Sequence, residues 1–430
     1  AHSATDFAFA QKHKLAVIKL ISEDGKILDA GGKYKNLDIL EARNKFIKDL
    51  EKSGQLDKVE DFPNNLSVCY RCDAAIEPLT SDQWFVAVDK KIPGRNNTLK
   101  QLATQAVKSG EINILPDMFK KTYYHWMNNL HDWCISRQIW WGHRIPVWYK
   151  EDKIHVGLEA PEKTGWKQDP DTLDTWFSSA LWTFSTLGWP AKTKDFKNFH
   201  PTQVMETGYD ILFFWVARMI LMTEYLLDDK PFETVYLHGM IRDKEGKKMS
   251  KSLGNGIDPI DMINKFGTDA LRLSLVIGSS PGADLNLYEE KIAGYRNFVN
   301  KLWNISRFIF TNIDKIERVK TRPKPKTLAD KWILAEFDNL VTTTTQDLDN
   351  YKFSQAGEKL YEFTWAKLAD WYLEIAKLEK GKEKILLYIL ERLLILWHPF
   401  TPFITEVIWE EFDSKNLLLV DKWPVANKPD

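Results

Sequence analysis

The sequence predicts a multidomain chain: an α+β segment, then an α/β half-domain of the doubly wound kind, then an all-α bundle. Three observations carry this prediction. Short β-like runs alternate with charge-rich helical segments up to about residue 90. Between Gln203 and Asn255 a strand, a glycine turn, a helix, a second strand and a lysine-rich loop follow one another. From Lys291 onward the apolar residues recur with helical period almost without interruption.

A chain of 430 residues is long enough for roughly two to four domains, each burying its own core. Its 44% hydrophobic and 28% charged residues are ordinary for a globular protein. The net charge of -1 excludes an overall polycation, so any RNA contact must rest on local basic patches. Eighteen tryptophans, many in short clusters, are expected mostly in the core. Three cysteines, Cys69, Cys72 and Cys134, point to a reducing compartment and a cytoplasmic protein rather than a disulfide framework. The apolar segment from Ile211 to Leu227 is interrupted by Arg218 and Glu224, which argues against a membrane span. The opening Ala-His-Ser-Ala-Thr-Asp-Phe lies inside a motif rather than a tail, and the chain reads as an internal or C-terminal piece.

In the first 90 residues, Leu15 to Ile18 and Trp84 to Val88 read as strands, and on spacing alone Asp6 reads as the N-cap of a helix starting at Phe7. Cys69-Tyr70-Arg71-Cys72 has the spacing of half a zinc knuckle, and it reads equally as two reduced thiols beside a strand. No second CxxC occurs in the chain. Leu99 to Leu130 reads as mainly helical. The following stretch, Trp133 to Tyr149, sets Arg137, His143 and Arg144 beside Trp140 and Trp141. That cluster either offers cations and ring faces to a substrate or forms core, and spacing alone favours core.

Gln203 to Thr207 then reads as a strand, Gly208-Tyr209-Asp210 as a turn, and Ile211 to Leu226 as a buried helix. Such a corner places Asp210 at the strand's carboxyl end, where doubly wound sheets bind nucleotides. The second strand, Thr234 to Leu237, runs through His238-Gly239 toward Lys247-Lys248-Met249-Ser250-Lys251-Ser252-Leu253-Gly254-Asn255. Two lysines three apart among hydroxyl residues suit a loop that clamps a polyphosphate, although the charge pattern by itself also describes a solvated basic turn. Asp258 to Ile277 reads as helix, ended by the Gly278 to Gly282 break. Trp365, Leu368, Ala369, Tyr372, Leu373 and Ala376 form one apolar helical face, Ile385 to Trp397 gives another helix, and Pro402 opens a further one. Lys320 to Lys326 is a surface connection; as part of the basic strip from Arg318 it is also a candidate RNA contact.

Several strings agree in order: Asp132-Trp133-Cys134-Ile135-Ser136-Arg137-Gln138, Trp141-Gly142-His143, Leu173-Asp174-Thr175-Trp176-Phe177-Ser178-Ser179, Thr207-Gly208-Tyr209-Asp210-Ile211-Leu212, and the lysine loop. Together they closely resemble the valyl-tRNA synthetases, a branch of the class I aminoacyl-tRNA synthetases. The resemblance implies the end of an editing domain at 1–90, the second half of a Rossmann-type catalytic domain with its KMSKS loop at 91–290, and a helical anticodon-binding domain at 291–430. It implies a cytoplasmic monomer that joins L-valine to tRNA(Val) with ATP and Mg2+, through valyl-adenylate, and clears mischarged threonine by editing.

Residue by residue, the resemblance gives Lys248 and Lys251 the triphosphate, Gly208 and Asp210 the adenosine and ribose, and His238, Met249, Ser250 and Lys251 the border of the nucleotide. Trp141, Ile211 and Trp215 match the valine pocket, and Asp6 matches the editing carboxylate that grips the amino group. Ser3 departs from the aspartate usual in the family. Cys69 and Cys72 match one half of a site for Zn2+ in the longer protein. No HIGH-type histidine string occurs, so the chain by itself is expected to form valyl-adenylate negligibly. The alternatives are a tRNA-binding paralogue without catalysis and an isoleucyl-type enzyme.

Overall fold

A computed structural model describes every residue except 1–3, 62, 64, 70, 71, 77, 163, 250–253, 414 and 428–430. It contains two units, Ala1–Phe85 and Val86–Asp430. The first unit holds α1 (Ala4–Lys12) and α2 (Ile39–Lys52), and a small core of Ile21, Ile27 and Ala42 to which α2 contributes. Asp38 caps α2, its carboxylate accepting the N–H of Leu40 at 2.9 Å. Two expectations are corrected here. α1 has already begun at Ala4, so Asp6 lies in its first turn, where a carboxylate complements the helix dipole, rather than at the cap. Leu15 to Ile18 is not a strand; Leu15, Val17 and Ile18 are exposed, and without a paired neighbour β propensity alone forms no ladder.

The second unit begins its α/β layer with α3 (Leu99–Lys108), β1 (Asn113–Leu115) and α4 (Met118–Asn128). A reciprocal capping box starts α3: Thr98 Oγ1 accepts the Gln101 N–H at 3.1 Å, and Gln101 Oε1 accepts the Thr98 N–H at 2.9 Å. Gly110, at φ 86°, breaks the stretch expected to be helical from Leu99 to Leu130. Past it, the fully buried Ile114 lies on β1, with the equally buried Ile112 just before the strand. An antiparallel pair, β2 (Ser136–Arg137) and β3 (Thr172–Leu173), leads into α5 (Thr175–Ala180).

Next come β4 (Thr202–Gly208), a 3-10 turn at Tyr209–Ile211, a π-helical segment at Leu212–Ala217, α6 (Arg218–Leu227) and β5 (Phe232–His238). The sheet is parallel with order β1-β5-β4. Met205, Val235, Leu237 and Ile114 on one face pack with α3, α4 and α6. The other face carries Val204, Glu206, Tyr236 and His238 and opens on a cleft of about 460 Å³, where Tyr236 meets Phe353 at 5.3 Å. Parallel sheets are normally covered on both faces, and among the described residues β4 is paired along one side only.

The expected helix from Asp258 to Ile277 is two, α7 (Pro259–Phe266) and α8 (Thr268–Val276), because Gly267 turns left-handed at φ 91° between them. The bundle follows with α9 (Glu289–Thr311), α10 (Leu328–Asp349), α11 (Phe353–Glu362) running through a π-helical segment, α12 (Glu383–Trp397) and α13 (Pro402–Trp409). Its core is built on Phe298, Phe337, Phe363, Trp397 and Trp409 and takes in Leu273 and Ile277 from upstream. Pro402 opens α13 without a local cap, and Asp269 supplies it from far along the chain by accepting the Ile404 N–H at 2.7 Å.

The tryptophans depart from expectation. Trp397 and Trp409 are fully buried and Trp133 nearly so, whereas Trp140 and Trp141 stand almost wholly in solvent and Trp182, Trp303 and Trp371 are exposed. An indole is amphipathic, with an apolar body and a polar N–H, so composition alone does not commit it to a core. No helix among the described residues is long and apolar enough to cross a membrane.

Candidate active site

β4 and β5 end level with each other, so Gly208 and His238 are register partners at the carboxyl edge of the sheet. Gly208 is buried, and a Cβ there would stand 2.8 Å from Asp210 Oδ1, 3.5 Å from His238 Cε1 and 3.6 Å from Met240 Sδ. Only a glycine leaves these three groups so close. His238 Nε2 lies 3.3 Å from Glu206 Oε1, and its Nδ1 lies 2.7 Å from the Gly239 carbonyl. Asp210 is exposed on the following turn.

This corner is joined to the lysine loop by a residue the sequence did not single out. Asp284 accepts the Tyr209 hydroxyl at 3.0 Å and the Met240 N–H at 2.8 Å, and pairs with the Arg242 guanidinium. Burial works to raise the Asp284 carboxyl, but the Met240 N–H, Arg242 and the Tyr209 hydroxyl outweigh it and hold the group below its usual range. The same contact pushes the Tyr209 hydroxyl up. Tyr209 and Asp284 are 75 residues apart, and no local spacing rule links them. Gly239 makes the junction possible: a Cβ there would fall 1.8 Å from the Ala283 carbonyl oxygen.

Beyond Arg242 the base of the loop closes on Asp243. Its carboxylate accepts the Lys247 N–H at 2.7 Å and the Asn255 side-chain amide at 2.7 Å, and the Asn255 bond is the main reason its pKa is lowered. Lys248 is exposed and bridges Arg242 through the backbone, while Met249 packs beside Ile241 and Met262. Ser250 and Lys251 lie outside the described residues.

Ile211 and Trp215 follow the corner on the turn and the π-helical segment. Trp215 donates its indole N–H to the Ser179 carbonyl at 3.1 Å and lies 5.8 Å from the Trp182 ring. Trp141 is 91% exposed on the loop after β2, and among the described residues no ring contact joins it to Trp215. That loop is anchored where the Leu173 N–H meets the His143 carbonyl at 2.7 Å and where Gly142 abuts Thr172. In the first unit, Cys69 and Cys72 lie between the bridged residues Val68 and Ala75. Among the described residues no group of three or more His, Cys, Asp or Glu gathers to hold a metal, so these two thiols offer half of a tetrahedral zinc set.

A family profile described as tRNA synthetases class I (I, L, M and V) matches residues 29–164 and 158–288. The chain belongs to that family. A second profile, the anticodon-binding domain of tRNA ligases, matches residues 330–430. A valine–tRNA ligase of Petrotoga mobilis is 44% identical over the whole chain, and one of Bacillus licheniformis 46%. The chain spans 50% of the length of each of these relatives. Among solved synthetase structures, a LeuRS–tRNA–LeuAMS ternary complex from Agrobacterium radiobacter K84 superposes with TM-score 0.62 at 21% identity, covering 72% of this chain and 46% of that one. Methionyl-tRNA synthetase of Mycobacterium tuberculosis bound by methionyl-adenylate gives 0.60 at 18%, covering 80% and 66%. At such identities these two likenesses concern the synthetase fold alone.

Proposed function

We propose that this chain carries the second half of the active site for ATP-dependent attachment of L-valine to tRNA(Val). The observation that supports this most is the Gly208, Asp210 and His238 corner, fastened through Asp284 to the foot of the lysine loop. In this reading Gly208 lets the adenosine approach the backbone, Asp210 accepts hydrogen bonds from the ribose, and His238 and Met249 border the base. A valine carboxylate oxygen attacks the α-phosphorus, the bond to the β-phosphate bridging oxygen breaks, and pyrophosphate leaves with the bonding electrons. Lys248 and Lys251 offset the charge that develops on the leaving group. Mg2+ would come with the triphosphate as part of the substrate and would screen its oxygens.

Trp141, Ile211 and Trp215 supply apolar walls that exclude isoleucine by size and reject isosteric threonine weakly, which leaves threonine to a hydrolytic site containing Asp6. The helical bundle would read unstacked anticodon bases, with an affinity that falls as salt rises.

The open side of β4 and the lack of a HIGH string support a further statement: the chain requires the other half of the relatives' length to form valyl-adenylate. ATP–pyrophosphate exchange tests both points. Exchange is expected with valine, and far less with isoleucine, only after the N-terminal half of a valine–tRNA ligase is added. Robust exchange by the chain alone would remove the need for a second half, and no valine-dependent exchange in the mixture would end the functional reading.

A further inference from the structure

We propose that Asp174 is the positioning residue of the amino-acid pocket, holding the Trp215 wall and the base of the Trp141 loop in one frame; the inference rests on reading those two tryptophans as pocket walls. Asp174 occupies the N-cap of α5, where an aspartate ordinarily turns its carboxylate onto the first N–H groups of the helix. Here it makes no such bond. It is 5% exposed, and its Oδ2 accepts the Trp133 indole N–H at 3.3 Å, lies 3.2 Å from Arg137 Nη2 and 3.7 Å from Arg218 Nη1. A buried carboxylate that neglects its own helix for three groups elsewhere in the fold is arranged for the junction, not for α5.

Each of the two arginines leads to one wall. Arg218 stands three residues beyond Trp215 and lays its guanidinium over the Trp133 ring at 4.3 Å. α5 is therefore tied at both ends to the segment carrying Trp215: Asp174 to Arg218 at its start, and Ser179 to the Trp215 indole near its end. Arg137 closes β2, from which the chain runs directly into Trp140 and Trp141. On that side Gln138 donates to Asp171 at 2.7 Å and the Leu173 N–H meets the His143 carbonyl at 2.7 Å. One charge thus faces two cations. Neutralising it leaves two guanidiniums in mutual repulsion, and the two walls lose their common point.

Two measurements test this. In the chain itself, the Trp215 indole resonance, assigned by its loss in Trp215→Phe, is followed by NMR hydrogen exchange. Asp174→Asn keeps the size and the capping ability, and is expected to speed exchange at Trp215 about tenfold, the worth of one charge-assisted hydrogen bond, and to loosen the directly bonded Trp133 indole as well, with the buried indoles of Trp397 and Trp409 unchanged. Asp174→Glu, which keeps the charge, should restore most of the protection, and it decides the matter if the asparagine variant does not fold. In the chain combined with the N-terminal half, Asp174→Asn should raise the KM for valine about tenfold and leave that for ATP within about twofold.

Unchanged Trp215 exchange, a uniform loss of protection at all indoles, no recovery with glutamate, or an equal rise in both KM values would each overturn the proposal. Should the wild-type mixture show no valine-dependent exchange, the functional reading fails while the indole measurement still decides whether Asp174 holds the frame.

Discussion

At Gly239 the backbone of residues 283 and 284 passes so close that a methyl group has no room, since the blocking atoms are main chain and not a movable side chain. Gly239→Ala is therefore expected to push that segment outward at a cost of about 1–3 kcal/mol, read as a lower denaturation midpoint at unchanged m-value. Asp284→Asn acts at the same place more gently. It keeps the shape but removes the charge that holds Arg242, and the stem of the lysine loop should open more often. Trypsin cleavage within residues 247–255 is expected to accelerate roughly tenfold, matching the loss of a hydrogen bond to a charged group. Equal cleavage rates in the two proteins would show that Asp284 does not restrain the loop.

Between elements, the most buried ion pair among the described residues is Lys382 with Asp330, exposed by 3% and 1% in their side chains. Burial alone would raise the Asp330 carboxyl, but Lys382, the Lys326 N–H, the Tyr372 hydroxyl and the Thr327 N–H pull it down to about 2. The depressed value means that its contribution is present above the ordinary 3.8 and is lost as pH falls toward 2. Lys382→Met strands a buried carboxylate and should cost about 3–5 kcal/mol in chemical denaturation, with part of the loss recovered by adding Asp330→Asn.

How far such elements were legible follows from their length. The long helices of the bundle announced themselves by period, as in Ile385 to Trp397, and the Gly208 corner by a strand, a glycine and a helix in sequence. β1 was not legible, because three residues give no period. Leu15 to Ile18 has the composition of a strand but no strand partner among the described residues, and pairing is a property of the fold rather than the segment. Asp284 and Asp174 escaped for another reason: Asp174, one position before a helix, looks like a cap, and Asp284, in a loop, looks like surface, until the distant groups they bind are known.

At the scale of the second unit, one group that ties stability to pH is Glu224 on α6, which is 9% exposed. Burial, reinforced by Glu111, Asp228 and Asp229 against the opposing pull of Arg95, pushes its carboxyl up to about 7. The folded state thus holds a proton that the unfolded chain releases near 4.5, and stability falls as pH rises between those values. The expected loss is roughly 1–3 kcal/mol, and Glu224→Gln should flatten the profile in urea melts across that interval. A profile of the same slope in the glutamine variant would assign the dependence elsewhere. The bare flank of β4 bears on handling of the purified chain. Along the unpaired flank of this seven-residue strand, beside the half-exposed Val204, the outward-pointing half of its backbone N–H and C=O groups form a template onto which another copy can stack. Turbidity and sedimentation should therefore grow with protein concentration, and a lysine in place of Val204 should keep the solution clear.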